Sequence, residues 1–541
     1  MNLGIDINSR NLLSQRSAKL LAGHVLAYLA LLPTLAISAA DKLELKASIE
    51  KLSIDMSAHG ANFPELQLVL DDESVTQPFQ LVTLGTDAKD QQARVLAAYT
   101  LQQHDADQPG TRWQQTFAQP LHKSVTTLQT VATANGAALL NYAGDTVGLF
   151  DPVATKFVSQ LEVPSIYRAD AVEFDADVTI ARDLTGDGLD DLLMPDFAGW
   201  RFAVALAAGG FSEPQLFGPK PLMNVGSARY VNFTAHTPYV FDHNQDGLQD
   251  VAFWNDGALE VYQQFVQADA SPAFSTEPVR LTVAPNIESD AFFSLSIGTD
   301  EDNPTGRQVL LDAIEDLDGD GLPELVVYSV TGEGLFGKET RYEIHRGELD
   351  AQNLLSFEAQ PSSVIGSGGV QINVERQDLD GDGTLEMLVT SFDLGIGSII
   401  RGLLSRTANL QLAIYAMRDG RYLEDPVLTR KVTAKLDIAN GDIFVPAVLA
   451  GDVDGDGLKD LLVQDGDDKL KVFIGQTGKR PFARSPLLID MELPEGAGSV
   501  RVVNLDGDAI DDLLLVFDAD KSAKQQPRVH AVRFLANNSP R

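Results

Sequence analysis

The chain of 541 residues contains no cysteine. Disulfides, thiol catalysis, cysteine-ligated zinc and acylation of a lipoprotein cysteine are therefore excluded. Basic residues are scarce. Lys and Arg number 41 against 77 Asp and Glu, leaving a net charge of −36. A surface of that sign repels phosphate backbones, so no nucleic-acid partner is expected. The same charge serves solubility or the choice of partners, and both readings stay open. Catalytic signatures are missing too. There is no H-E-x-x-H and no G-x-S-x-G, and the eight histidines show no ligand spacing. Gly332–Lys338 (GEGLFGK) has the shape of a phosphate loop. However, Glu339 stands where Ser or Thr should bind magnesium, and strand patterns flank the segment where a helix should follow. The run Leu20–Ile37 is apolar, follows Arg10, Arg16 and Lys19, and precedes Ser38-Ala39-Ala40. Residues 1–40 read as a signal peptide cleaved after Ala40, with the break at Pro33 favouring cleavage. The run is also long enough for an uncleaved anchor. Cleavage would leave no stable membrane insertion and a periplasmic, secreted or cell-surface protein.

What the chain does have is one acidic loop, six times over: D-x-(D/N/T)-x-D-G-x-x-(D/E). The copies begin at Asp183, Asp242, Asp316, Asp378, Asp452 and, in altered form, Asn504, at intervals of 52 to 74 residues. Oxygens on alternate positions of a sharply turning backbone suit calcium, which takes six to eight hard ligands at roughly 2.3–2.6 Å. Positions 1, 3, 5 and 9 supply side chains, and position 7 supplies its carbonyl. The expected ligand sets are Asp183, Thr185, Asp187, Leu189 and Asp191; Asp242, Asn244, Asp246, Leu248 and Asp250; and Asp316, Asp318, Asp320, Leu322 and Glu324. They continue with Asp378, Asp380, Asp382, Thr384 and Glu386, then Asp452, Asp454, Asp456, Leu458 and Asp460. The last set is Asn504, Asp506, Asp508, Ile510 and Asp512. There Asn504 replaces an acid and Ala509 replaces the turn glycine, so that site is weaker or empty. About five or six Ca2+ ions are expected. The competing reading is a set of Asx turns, since Asp-Gly is a common turn dipeptide. His243, at position 2, is expected to point outward. Asp190/Asp191 and Asp511/Asp512 could mimic a catalytic dyad, but each pair is explained as a loop acid and its neighbour.

These loops are not EF-hands, which carry a ligand at position 12 between two helices. The residues after each loop read as strand: LDDLLMPDF, LQDVAFWND, LPELVVYSV, TLEMLVTSF and LKDLLVQDG. Residues before the loops do too, as in VTIARD and FVPAVLAGD. Strand, acidic loop and strand, repeated in this way, resembles the FG-GAP and VCBS repeats of integrin α subunits and of bacterial secreted proteins. The glycine-aromatic turns Gly209–Phe211 and Gly475–Phe482 match the same family. The resemblance covers about 170–541 and implies a calcium-binding β-propeller, without implying an activity.

An all-β fold is expected, with the loops between first and second strands of six blades. Residues 41–541 form the propeller: 65–165 give two blades without loops and 170–541 six with them. The last repeat lacks a fourth strand, and Leu43–Met56 is expected to supply it, closing the ring of eight and removing an open edge. The alternative is seven blades plus a separate N-terminal β segment. One segment, 395–409 (GIGSIIRGLLSRTAN), shows a short helical face at Ile399, Ile400, Leu403 and Leu404. With Arg401 and Arg406 it is either a binding insertion or padding. The expected function is a scaffold binding a protein or glycan ligand. The alternative is a carbohydrate-active enzyme such as a calcium-dependent polysaccharide lyase.

Overall fold

The strand after each acidic loop is apolar almost throughout, where a half-exposed strand would alternate. Asp191–Asp196, Glu324–Thr331 and Asp512–Phe517 are buried along nearly their whole length. Such a strand is covered on both faces of its sheet. In the computed structural model this burial comes from neighbouring sheets stacked face to face. The structure describes residues 47–536 except 55, 57–65, 70–79, 87–92, 104–110, 123, 168–177, 226–230, 289–306, 333–338, 368–369, 393–404, 438–441, 479 and 518–527.

Eight antiparallel sheets follow one another. The first two blades span Leu66–Leu121 and Val125–Glu162, and the third and fourth span Ala181–Phe217 and Pro238–Leu281. The fifth spans Gln308–Ser367, the sixth Val370–Phe444 and the seventh Val448–Asp490. The eighth combines Val500–Val503, Asp512–Phe517 and Arg528–Ala536 with Ala47–Ile54 from the other end of the chain. That strand pairs in antiparallel register from Ala47↔Ala536 to Ile54↔Val529. The sixth blade carries a fifth strand, Asp442–Phe444.

The core is eight separate apolar clusters, each sandwiched between consecutive blades. One joins the first blade to the second through Leu84, Leu96, Leu128 and Leu139. Another joins the eighth back to the first through Leu52, Ile54, Tyr99, Trp113, Leu514 and Val529. That last cluster closes the circle, so the fold is an eight-bladed β-propeller. The seven-blade alternative fails because Leu66–Leu121 makes a complete sheet and Ala47–Ile54 belongs to the last one.

Among the described residues, four two-stranded hairpins lie outside the eight blade sheets and had no counterpart in the sequence reading. They are Leu222–Val225 with Val231–Thr234, Gln264–Val266 with Pro272–Phe274, Gly347–Leu349 with Leu355–Phe357, and Met417–Arg418 with Arg421–Tyr422. Residues 395–404 of the 395–409 segment lie outside the described residues, and its end, from Thr407, belongs to the strand Thr407–Tyr415. The segments 1–40 and 333–338 also lie outside them.

Candidate functional site

Each acidic loop joins the first to the second strand of a blade, from the third blade to the eighth. Its backbone is held by its own carboxylates. At position 1, Asp183 Oδ1 accepts from Gly186 N at 2.7 Å and Oδ2 from Gly188 N at 2.9 Å. Asp316, Asp378 and Asp452 repeat the arrangement with their own glycines. The glycine at position 6 takes φ between 84° and 88° in the first five loops, a region where a Cβ is strained. At position 5, one carboxylate oxygen accepts the N–H of position 7 in all six loops, as in Asp320–Leu322 at 2.9 Å and Asp508–Ile510 at 2.8 Å.

Position 9 is buried everywhere: Asp191, Asp250, Glu324, Glu386, Asp460 and Asp512. One oxygen accepts the N–H of position 2, as in Leu317 N–Glu324 Oε2 at 2.8 Å. In the loops ending in Asp, the other oxygen accepts an N–H from just beyond the third strand or, in the sixth loop, from within it. The donors are Ala205, Gln264, Gly475 and Phe534, at 2.7–2.9 Å. The sequence-predicted turn at Gly475–Phe482 lies here, as does the one ending at Phe211. Burial pushes Asp250, Glu324, Glu386, Asp460 and Asp512 up to about 7, with the amide hydrogen bonds opposing it in part. Asp191 is raised for the same reason.

Three loops bring three acids within 4.8 Å of one another: Asp316, Asp318 and Asp320; Asp378, Asp380 and Glu386; and Asp452, Asp454 and Asp460. In the loops at Asp183 and Asp242, Thr185 and Asn244 put a neutral oxygen at position 3, and no such trio of acids forms. The fit of these cages to a cation rests on two atoms. Asp380 Oδ1 and Glu324 Oε1 are buried and accept no hydrogen bond. A buried carboxylate oxygen without a partner is costly, and a bound cation satisfies it. Among the described residues, no ion pair reaches Asp378, Asp380 or Glu386. Burial first, and the neighbouring carboxylates second, raise Asp380. The third loop differs, because Arg346 Nη2 lies 3.1 Å from Asp318 and 2.8 Å from Asp320.

The expectation for His243 is corrected. Its ring is buried. Position 2 is Leu184, Leu317, Leu379, Val453 and Leu505 in the other loops, and all of these are buried too. An apolar residue at that position in five of six copies was the signal that it points inward. Position 2 also bridges blades through its carbonyl. Leu184 O accepts from Gln264 Nε2, His243 O from Leu355 N, Leu317 O from Leu385 N, and Leu379 O from Lys459 N. In the fifth loop Asp452 O takes this role, accepting from Asp511 N at 2.7 Å. Each donor belongs to the following blade. The acidic pairs part company accordingly. Asp190 binds Ala132 N of the second blade, and Asp511 binds Asp452 N and Lys459, while Asp191 and Asp512 bind amides of their own blades.

Two other features lie in the third and fourth blades. A cavity of about 360 Å³ is lined by Tyr167, Ile180, Arg182, Trp200, His236 and Pro238, among others. Nearby, the first of the four hairpins exposes Leu222, Met223, Val231 and Phe233, with Met223 62% exposed. Phe233 packs edge to face on exposed Phe197, with ring centroids 4.9 Å apart.

The chain matches no protein-family model and no curated protein. Among solved structures it is similar to an Agrocybe aegerita lectin that recognises non-reducing terminal N-acetylglucosamine. That match has 16% identity and a TM-score of 0.37, and it covers 77% of this chain and 92% of that one. It is similar to the V. cholerae biofilm matrix protein Bap1 at 13% identity and TM-score 0.25, over 92% of each chain. Drosophila Plexin A, solved with Semaphorin 1b, matches at 10% identity and TM-score 0.28, over 73% of this chain and 82% of that one. Likenesses this loose carry no functional argument, and the fold stands on the sheets themselves.

Proposed function

We propose that the protein is an exported, calcium-loaded propeller of the FG-GAP/VCBS kind whose ring is a rigid scaffold for a protein or glycan ligand. The observation that carries the metal reading is the loop at Asp378. It holds three carboxylates within 4.8 Å, one buried oxygen without a partner and, among the described residues, no protein cation paired to any of the three. Oxygen-only ligands with acids at positions 1, 3, 5 and 9 and a carbonyl at position 7 suit a large hard cation. Magnesium demands tighter octahedral geometry and holds its waters. The calcium would supply fixed positive charge and no chemistry. The intraloop hydrogen bonds keep the backbone in shape, so the Asx-turn reading and the metal reading describe one loop.

Extracytoplasmic calcium supports such sites at modest affinity, about 10⁻⁴–10⁻³ M for extracellular modules. This agrees with the leader-like residues 1–40. Among the described residues no helix is long and apolar enough to cross a membrane. The exposed apolar cluster around Met223 and Phe233 supports a binding role, because patches of that kind mark interaction surfaces. Equilibrium dialysis against calcium tests the metal reading, and fewer than three ions per chain would remove it. Binding assays on glycans and candidate proteins, with Met223→Glu as the control, test the scaffold reading. Depolymerisation of a uronic-acid polymer by the pure protein would replace that reading with a lyase.

A further inference from the structure

The sixth loop departs from the other five in three ways. Position 1 is Asn504, whose amide Nδ2 donates to Asp508 O at 2.6 Å, so a donor group sits where the others present a second carboxylate oxygen. Position 6 is Ala509, which does not take the positive φ of its glycine counterparts. Its N–H makes no bond to position 1, unlike Gly188 or Gly457. Position 3, Asp506, is held by the guanidinium of Arg533. Arg533 lies on the strand Arg528–Ala536, and its side chain is 9% exposed. Its Nη1 donates to Glu50 Oε2 at 3.0 Å. Glu50 is its register partner on the strand Ala47–Ile54.

We infer that Arg533 closes the sixth loop in place of a metal ion, and that the same guanidinium fastens the N-terminal strand to the ring whether or not metal is present. A planar fork of fixed donors can hold two carboxylates at once. It therefore does for Asp506 and Glu50 what an ion does within a four-acid loop, and it adds a link that no ion in the loop would make. Arg346 in the third loop is the useful contrast. It touches Asp318 and Asp320, yet its side chain is 37% exposed, and the loop keeps Asp316 and the unpartnered Glu324 Oε1. That arginine can be displaced by an incoming ion. Arg533, buried and bound on both sides, stays.

The inference rests on the calcium reading for the other five loops but not for its own residues, so two measurements separate the two. The first is calcium stoichiometry by equilibrium dialysis. Five ions are expected for the unaltered chain and five for Arg533→Met, because Asn504 and Ala509 remain. Six ions in the unaltered chain would overturn the inference. No ions at all would remove the calcium reading and leave the second measurement to decide. That measurement is amide exchange of residues 47–54 in excess chelator. Arg533→Met should exchange there about tenfold faster, since it leaves the half-buried Glu50 and Asp506 carboxylates without their shared cation, and added calcium should not restore protection. Unchanged exchange, or full rescue by calcium, would overturn the inference. If Arg533→Met does not fold, Glu50→Gln and Arg533→Lys give the same reading with the core intact, and normal exchange in both would overturn it. Arg346→Met should tighten calcium at one site and leave residues 47–54 untouched. Faster exchange there with Arg346→Met would show a general loss of stability and would count against a specific latch.

Discussion

The first two blades and the six that follow solve one problem in two ways. In the second blade the first strand is nine residues long and reaches its partner through a two-residue turn, with Gly136 at positive φ. The first blade opens on a strand of only four residues, Leu66–Val69, but its third and fourth strands pair over ten and eleven. Among the loop-bearing blades the first strand is two residues in the third and four in the fourth, seventh and eighth, while the fifth and sixth keep eight. A shorter ladder leaves fewer hydrogen bonds to fix a strand. The acidic loop makes up the difference by tying backbone amides to carboxylates. Metal dependence is thus expected to be local to part of the ring. The two solutions meet at their border, where Asp190 N of the first loop bonds Ala132 O of the second blade's strand.

The most severe way to break the comparison is chelation. Each site is worth about 2.7 kcal/mol when free calcium is a hundredfold above its Kd. Five sites lost together should lower the melting temperature by many degrees. Hydrogen exchange in chelator should rise first in 181–217 and 448–490 and last in 94–162. Equal loss everywhere would show that the long ladders offer no independence. Acid is the next lever. Asp250, Glu324, Glu386, Asp460 and Asp512 are pushed up to about 7, above their unfolded values near 4, and Asp191 is raised in the same direction. Their destabilising effect is absent below about pH 4 and grows as pH rises to about 7. Chelated protein should therefore melt higher at pH 5 than at pH 8, and calcium should abolish the trend. His530, pushed down to about 4 by burial, works in the opposite sense. What it adds to stability is lost as pH falls from about 6.5 towards 4, so replacing it should steepen the gain on acidification.

Single loops give smaller effects. Asp454→Ala should remove one calcium ion and lower stability by about 2–3 kcal/mol in saturating calcium, much of which should vanish in chelator. Asp506→Ala should remove no ion, and its effect should persist in chelator. Titration calorimetry with thermal melts separates the two. The smallest expected effect is a gain. Gln245 holds φ of 57° at position 4, where the other five loops have glycine. Gln245→Gly should stabilise the fold by about 0.5–1 kcal/mol, readable as a higher denaturation midpoint at unchanged m-value.

The blade count, the loop positions and the closing strand were legible because each leaves a local mark. Loops recur with one spelling, second strands are apolar runs, and the last repeat is visibly one strand short. Arg346 and Arg533 were not legible. They reach their loops across paired strands, and nothing near Asp318 or Asp506 in sequence announces them. The carbonyl bonds between blades leave no mark at all, since backbone groups are the same at every residue. The four hairpins escaped because runs of two to four residues carry too little periodicity to separate strand from turn.

The register that joins Ala47 to Ala536 has a mechanical meaning. Two antiparallel strands that begin and end the ring meet with their outer ends side by side. Tension drawn through residues 47 and 536 therefore loads their ladder one rung at a time, as a zipper is loaded, and not all rungs together in shear. A partner gripping one end while the other end is tethered would open the ring from the rung Ala47↔Ala536 and travel towards Ile54↔Val529. On that path Glu50 and Arg533 form the fourth rung, so the first firm resistance to peeling would come from an ion pair.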